Sequence, residues 1–194
     1  MKYKDTLAIE AKNASAWRQW LSENSATAQS IWLIIYRKQS KIKSVYYDEA
    51  VDEALCYGWI DSVPNKRDDK SYYQYFSKRN PKSNWSKVNK EKIDRLISEN
   101  RLASPGIEMI KIAKESGTWD ALTDVDNLVI PEDMQIQFDK NPLALTNWSA
   151  FPDSTKRGIL EWIFNAKRTE TRKKRIDQTV TMAAENKRAN QYKR

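Results

Sequence analysis

The sequence predicts an α+β fold, in which helices and a small antiparallel sheet form an N-terminal unit that is followed by a C-terminal helical segment. Three observations support this fold class. Residues 31–36 are apolar without alternation and rich in β-branched and aromatic side chains, as in a buried strand. Two further strand-like segments flank a polar turn at 65–70. After residue 86 the sequence shows helix start signals and no further strand pattern.

The first elements follow from capping residues and apolar spacing. A helix is predicted over 13–24, with Asn13 or Ser15 as its N-cap and Trp17 and Leu21 on its apolar face. The buried strand 31–36 comes next, and a basic exit loop follows it. The sequence therefore predicts a helix packed on a strand that is covered on both faces.

A second helix and a hairpin come next. Apolar residues recur with helical spacing from Tyr47, which places Tyr47 on the apolar stripe, and Gly58 suits the position just after the helix end. Strands are predicted at 59–63 and 72–77. The hairpin would therefore start directly at the glycine that ends the helix.

The remaining elements are predicted as helices. Helical patterns cover 86–101 and a segment that begins at Ser104-Pro105 and is closed by Gly117. Further helix starts lie at Asn141-Pro142, Asp153-Ser154 and Thr169. The last helix would bury Ile176, Val180 and Ala183.

Charge and periodicity suggest three segments. We expect an α+β unit at 1–120, an acidic connector at 121–140 with little periodicity, and a helical segment at 141–194. The net charge is +8, and the last 39 residues are strongly basic. A basic tail after an acidic connector is compatible with an anionic partner and also with a solvated helical surface.

Composition excludes several classes of site. One cysteine and no histidine exclude an internal disulfide framework and the zinc patterns built on Cys and His. No glycine-rich phosphate-binding loop is present, and no window reaches the length of a membrane span. The start of the chain lacks the apolar region of a secretory signal. We therefore expect a cytoplasmic protein with no metal, no cofactor and no membrane span.

Candidate catalytic residues are few. Cys56 is the obvious nucleophile, but neighbouring carboxylates and a helix C-terminus raise a thiol pKa, and no histidine is available as its base. Five carboxylates have helical or turn spacing that suits acid–base chemistry and equally suits a solvated helix: Asp48, Glu49, Asp52, Glu53 and Asp61. We therefore assign no catalytic residue, and Asp61 remains the carboxylate of most interest because it follows the turn at Gly58.

Two binding surfaces are candidates. The first is a cleft between the turn after Gly58 and the segment 79–89, with Asp61 paired to Arg79. Its predicted lining mixes polar and aromatic residues: Trp59, Asp61, Arg79, Ser83, Trp85, Ser86 and Asn89. Each of these also has a structural interpretation as a helix cap or a core residue.

The second surface would bind a single-stranded nucleic acid. Aromatic and basic residues interleave along the hairpin at Lys66, Arg67, Tyr73, Tyr75, Lys78 and Arg79. On an alternating strand, Tyr73 and Tyr75 share one face and Tyr72 and Phe76 share the other, so one pair must pack the core. No specific nucleic-acid motif accompanies the pattern.

Several motifs together resemble the YdeI/OmpD-associated (OmdA, bacteriocin-protection) family over nearly the whole chain. In the N-terminal part they are Trp17 to Leu21, Tyr47 to Ser62, Phe76 to Arg79 and Ser83 to Asn89. In the C-terminal part they are Asn141-Pro142, Phe151, Ser154 to Arg157, Trp162-Ile163, Ala166-Lys167, Thr171-Arg172 and Arg175-Ile176. Where family members often read Pro-Arg, this chain has Lys78-Arg79.

The resemblance implies an α+β unit of the YjbR/CyaY-like kind followed by an OmdA-type helical segment, and a role in resistance to antimicrobial peptides or bacteriocins under stress. It implies no catalytic residues. We therefore expect a non-enzymatic binding protein whose partner is a small molecule or a protein. The alternatives are a single-stranded nucleic-acid binder and an enzyme that uses a carboxylate such as Asp61. The sequence determines neither the ligand nor the oligomeric state.

Overall fold

The computed structural model describes residues 1–190 and confirms the α+β class. The chain divides into two units, Met1–Asp120 and Ala121–Arg194. The first unit contains a five-stranded sheet and four longer helices, and helices alone form the described part of the second unit. Every helix within residues 1–190 is too short or too polar to span a bilayer.

The sheet of the first unit has the strand order β1-β2-β3-β5-β4. The strands are β1 (Lys2–Tyr3), β2 (Thr6–Glu10), β3 (Ser30–Tyr36), β4 (Trp59–Lys66) and β5 (Ser71–Lys78). All neighbouring strands are antiparallel except β2 and β3. The sheet is therefore mixed rather than wholly antiparallel, because the helix between β2 and β3 returns the chain in the same direction.

Four helices pack around the core of the first unit. They are α1 (Ala14–Asn24), α2 (Tyr47–Cys56), α3 (Lys87–Ser98) and α4 (Ser104–Glu115). Asn13 caps α1 by accepting a hydrogen bond from the backbone of Ala16 at 2.9 Å. Trp17 and Leu21 of α1 are buried against the strands, as the apolar spacing predicted.

The two faces of the sheet differ in what they contact. On one face Leu33 and Phe76 pack with the helices in the main core, and Tyr72 lies at its border. On the other face Trp32 and Tyr73 belong to a small separate cluster. The predicted division of the β5 aromatics between two faces is confirmed, with Tyr73 and Tyr75 away from the main core.

Gly58 joins α2 to β4 in a way that only glycine permits without strain. Its φ is +70°, and a Cβ at this position would lie 2.9 Å from the backbone oxygen of Pro105 at the start of α4. Because α4 approaches so closely, Gly58 determines both the direction of β4 and the packing of α4.

The second unit contains α5 (Thr123–Asp126), α6 (Glu132–Asp139), α7 (Pro142–Ala150), α8 (Asp153–Phe164) and α9 (Thr169–Ala184). Ile176, Val180 and Ala183 of α9 are buried, as predicted. The stretch 121–140 is not a connector, because it carries α5 and α6 and contributes Met134 and Phe138 to the core. Met134 and Phe138 are four residues apart, as in a helix, but α6 is only eight residues long and two apolar positions are too few to establish a helical periodicity.

Candidate functional site

The structure buries both tryptophans of the predicted cleft. Trp59 is 1% exposed and Trp85 is 2% exposed. The ring of Trp59 lies 5.9 Å from that of Trp20, and the ring of Trp85 lies 5.0 Å from that of Trp119. Both side chains therefore fill the main core, and neither is open to a ligand.

Arg79 is also buried, at 5% exposure, and does not reach Asp61. Its guanidinium lies 3.7 Å from the ring centre of Trp85 and donates a hydrogen bond to the backbone oxygen of Asn84 at 2.5 Å. Burial lowers the pKa of Arg79 to about 10, so the side chain is still charged at neutral pH. The predicted pair of Asp61 and Arg79 does not form, and the predicted cleft is wrong in this respect.

The polar residues of the predicted cleft have local structural roles. Ser86 caps α3 by accepting a hydrogen bond from the backbone of Asn89 at 3.4 Å. The hydroxyl of Ser83 donates to the backbone oxygen of Asn80 at 2.7 Å. These contacts stabilise the chain before α3 and are satisfied without a ligand.

The predicted aromatic and basic ribbon is not one continuous surface. Tyr73 stacks on Tyr3 with ring centres 4.0 Å apart, and Tyr75 lies 4.7 Å from Trp32, so these rings already contact other rings. The cations are also separated. Arg67 pairs with Glu10 at 3.4 Å, and Lys78 donates to the backbone oxygen of Ala26 at 2.7 Å. Arg79 is buried. Lys66 lies in register with Tyr72, on the face of the sheet opposite to Tyr73 and Tyr75.

Asp52 and Glu53 of α2 are buried, whereas Asp48 and Glu49 of the same helix are exposed. Glu53 accepts hydrogen bonds from Arg18 and Arg101, each at 2.7 Å. Asp52 is held in the same way, by Lys92 at 2.9 Å and Arg95 at 2.6 Å. Each buried carboxylate therefore connects α2 with other segments of the first unit. Helical spacing alone does not predict these contacts.

Cys56 lies in the main core and is completely buried. Burial is the largest influence on its thiol and raises the pKa. A buried thiol with a raised pKa is a poor nucleophile, which supports the structural interpretation of this residue.

Asp61, by contrast, lies on the wall of an open cavity of about 580 Å³. We call this cavity the Tyr47 pocket. Its lining consists of Arg37, Tyr47, Asp61, Ser62, Pro64, Asn65, Lys66, Tyr72 and Gln74. A second cavity of about 330 Å³ shares Arg37, Tyr47 and Tyr72 with it and adds Tyr46, Lys38 and Asp48 among others. Together they form a recess between the start of α2 and strands β4 and β5.

Local structure explains why these side chains converge. Tyr47 is the first residue of α2, and β4 has an irregular register between Asp61 and Pro64. The hydroxyl of Tyr47 donates to Oδ2 of Asp61 at 2.7 Å. Gln74 of β5 donates to the backbone oxygen of Ser62 at 2.8 Å. The irregular segment of β4 is thus supported by a side chain from β5 and one from α2.

The environment of Tyr47 keeps its hydroxyl in the protonated form. Partial burial of the phenol raises the pKa of Tyr47, and the carboxylate of Asp61 raises it further. The hydroxyl therefore stays protonated and acts as the donor at physiological pH. The orientation of Asp61 is set by this contact.

Cations surround the aromatic walls of the recess. The guanidinium of Arg37 lies 5.7 Å from the ring centre of Tyr72, and the ammonium of Lys38 lies 5.4 Å from that of Tyr46. Within residues 1–190, neither Arg37 nor Lys38 has a carboxylate at ion-pair distance. Lys66 pairs with Asp69 at 3.2 Å, but both side chains are solvated and such pairs are weak.

The recess is better suited to orienting a polar ligand than another cavity of the first unit. That cavity, of about 360 Å³, is lined by Ile97, Asn100, Leu102, Ile107 and Ile110. It offers one amide and no charged group. The Tyr47 pocket instead combines flat aromatic walls with an oriented carboxylate and the cations Arg37 and Lys66, which is the composition of a ligand site.

Sequence reasoning named Asp61 and, for the alternative nucleic-acid surface, Lys66, but it did not name Tyr47 or Arg37 as site residues. Tyr47 was assigned to the apolar stripe of α2, and Arg37 was placed in the exit loop of β3. The signal for Tyr47 was present, since it is the first residue of the stripe and carries a hydroxyl. Its contact with a residue 14 positions away depends on how α2 packs beside β4.

Comparisons with known proteins assign the two units to different family models. Residues 9–109 match the model described as Domain of unknown function (DUF8412). Residues 127–186 match the OmdA model, described as Bacteriocin-protection, YdeI or OmpD-Associated. No curated protein and no solved structure matches the chain.

The sequence resemblance to the YdeI/OmpD-associated family is therefore confirmed, and the match lies in the second unit. The motifs quoted from the first unit, including Tyr47 to Ser62, fall within the other model. That model covers more than half of the chain and includes every lining residue of the Tyr47 pocket. The chain thus belongs to the family of the domain of unknown function DUF8412, and its second unit carries an OmdA domain.

Proposed function

We propose that this is a non-enzymatic binding protein of the cytoplasm that contributes to resistance against bacteriocins or antimicrobial peptides, with the Tyr47 pocket as its ligand site. The description of the OmdA domain supports the protective role. The observation that carries the binding role is the hydrogen bond of 2.7 Å between Tyr47 and Asp61 on the pocket wall.

A binding role suits the chemistry of this pair. Tyr47 remains a neutral donor because its pKa is raised, and Asp61 is held as an acceptor. Oδ1 of Asp61 remains as an acceptor for an N–H or O–H group of a ligand. A fixed carboxylate over aromatic walls selects the orientation of a bound molecule, which is what a specific binding site requires.

The charge distribution favours an indirect protective role. The net charge of +8 and the cations Arg37, Lys38 and Lys66 around the recess repel cationic peptides. Direct capture of such peptides at this site is therefore unfavourable. Protection would instead depend on a ligand that occupies the pocket.

The test is a survival assay with a cationic antimicrobial peptide, using cells that lack the protein or produce it as wild type, Asp61→Asn or Asp94→Asn. Asp94 is an exposed carboxylate on α3 and serves as the matched control. Wild type and Asp94→Asn should raise survival, and Asp61→Asn should lose most of the effect while its circular dichroism spectrum is unchanged.

Two results would contradict the proposal. If wild-type protein gives no increase in survival, the protective role is wrong. If Asp61→Asn protects as well as wild type does, the Tyr47 pocket does not carry the function.

A further inference from the structure

We infer that the Tyr47 pocket binds a nucleoside phosphate, either as a free nucleotide or as the end of a strand. This inference rests on the proposed function, because it names the ligand class of the same site. Three features of the recess carry it: an excess of cations, flat aromatic walls, and a carboxylate acceptor placed beside them.

The cations of the recess favour a ligand with an anionic group. Arg37 and Lys38 are adjacent, and both are exposed. The two carboxylates of the recess already have partners, since Asp61 accepts from Tyr47 at 2.7 Å and Asp48 lies 3.7 Å from Lys92. A guanidinium and an ammonium on neighbouring residues of one recess match a phosphate better than a single carboxylate, because a phosphate carries up to two charges and several acceptor oxygens.

The aromatic walls of the recess favour a ligand with a planar ring. Tyr47 and Tyr72 line both cavities of the recess. Tyr72 also lies under the guanidinium of Arg37, at 5.7 Å from the ring centre. A base can stack on a tyrosine face, and stacking tolerates different bases because every base has a flat π surface. Arg37 above the same ring would keep the phosphate close to the stacked base.

Asp61 provides a hydrogen-bond acceptor for a donor group of the ligand. A carboxylate accepts hydrogen bonds from an exocyclic amine or from a sugar hydroxyl, and a nucleoside offers both. The cavity volume of about 580 Å³ lies within the usual range for small-molecule sites. A nucleoside phosphate therefore brings an anion for Arg37, a ring for Tyr72 and a donor for Asp61.

The test is isothermal titration calorimetry of the full chain at physiological salt, with four probes measured separately: each nucleoside monophosphate, the matching nucleoside, inorganic phosphate, and a short single-stranded oligonucleotide. At least one nucleoside monophosphate should bind saturably, and its nucleoside and inorganic phosphate should each bind at least about tenfold more weakly. An oligonucleotide that binds more tightly and competes with the nucleotide would identify a strand end as the natural source.

Variants assign the binding to the recess. Arg37→Gln should weaken nucleotide binding about tenfold or more, whereas Lys111→Gln, which removes an exposed cation on α4, should leave it unchanged. Tyr72→Leu should weaken nucleoside and nucleotide alike by about fivefold or more. Asp61→Asn should weaken the nucleoside and leave the weak phosphate binding unchanged.

The inference is overturned if no nucleoside monophosphate binds, or if Arg37→Gln binds as tightly as Lys111→Gln does. These outcomes are separate from those of the survival assay. Protection that requires Asp61 without any nucleotide binding would leave the proposed function intact and the ligand class wrong. Nucleotide binding with protection that is unaffected by Asp61→Asn would support the ligand class and overturn the proposed function.

Discussion

Glu53 is a buried carboxylate held between two guanidinium groups that come from elsewhere in the first unit. Arg18 belongs to α1, and Arg101 follows α3, so the carboxylate connects three parts of the chain. Its side chain is 6% exposed, while those of the two arginines are about one third exposed. A carboxylate in this position is favourable only while both cations stay close, because burial otherwise penalises its charge.

Replacing Glu53 should therefore be costly. We expect Glu53→Gln to lower the free energy of unfolding by about 2–3 kcal/mol, somewhat below the range for fully buried pairs because the arginines keep part of their solvation. The measurement is urea unfolding followed by circular dichroism. Glu99→Gln is the matched control, since Glu99 also pairs with Arg101 but is more exposed, and it should cost less than about 1 kcal/mol. Equal effects of the two variants would contradict the role of burial.

Residue types alone provided candidate side chains but did not predict which of them contact one another. Asp61 was paired with Arg79 in the sequence analysis, yet its partner in the structure is Tyr47. The alternation of β5 was sufficient to divide its aromatics between two faces, because side-chain direction along a strand is a local property. Which cation or hydroxyl reaches Asp61 is a property of packing and could not be obtained from local spacing.

At the scale of elements, the junction between α2 and β4 depends on one glycine. Gly58 has a left-handed backbone and lies against the start of α4. Gly117 also has a positive φ, +76°, but a Cβ there would meet no atom within 4 Å. The two positions therefore separate the cost of the backbone conformation from the cost of close packing.

We expect Gly117→Ala to destabilise the first unit by about 1–2 kcal/mol, which is the cost of the left-handed conformation for an L residue. Gly58→Ala should cost about 2–4 kcal/mol, because its Cβ must also displace the backbone of Pro105. Urea unfolding of both variants gives the comparison. If Gly58→Ala costs no more than Gly117→Ala, α4 accommodates the extra atom and the close approach does not constrain the fold.

In the second unit, an ion pair connects α6 with α9. Both carboxylate oxygens of Asp133 accept from Arg172, at 2.6 and 2.8 Å. These hydrogen bonds hold the pKa of Asp133 below its ordinary value of 3.8. A depressed carboxyl pKa contributes stability above the ordinary value, and that contribution is lost as the pH falls through the lowered pKa.

Asp133→Asn should therefore reduce the stability of the second unit at pH 7 and have progressively less effect at an acidic pH, as the pH falls from 3.8 through the lowered pKa. Because Asp133 is about half exposed, the loss at pH 7 should be only about 0.5–1 kcal/mol. Urea midpoints at the two pH values measure it. Asp139→Asn serves as the control, since Asp139 accepts a hydrogen bond from Gln135 and has no ion pair within the described residues. A loss of stability that is the same at both pH values would show that the ion pair of Asp133 and Arg172 does not cause it.

At the scale of the whole molecule, each unit has a hydrophobic core of its own. The second core includes Met134, Phe138, Trp148, Ile159 and Ile163. A helical segment of this size can bury enough apolar surface to fold, although its stability is expected to be only a few kcal/mol.

We expect a fragment of residues 121–194 to fold on its own, with a helical circular dichroism spectrum and cooperative thermal unfolding. Phe138→Ala should abolish the transition, because removing a buried phenylalanine costs about 3–5 kcal/mol. Phe164→Ala should retain it, since that ring is 42% exposed. A fragment without helical structure would show that the second core needs the remainder of the chain.

Local sequence patterns were sufficient to predict the α+β class, the main helices, the hairpin after Gly58, the structural character of Cys56 and the OmdA domain. These depend on local periodicity, on capping and turn residues and on family motifs. The folded structure was needed to show that α5 and α6 lie within 121–140, that β2 and β3 are parallel, and that Asp61 faces Tyr47 in a pocket. It was also needed to show that Trp59, Arg79 and Trp85 are core residues. Those features depend on which distant segments pack together. The packing is determined by the burial of apolar surface over a whole unit, and no short stretch of the chain contains that information.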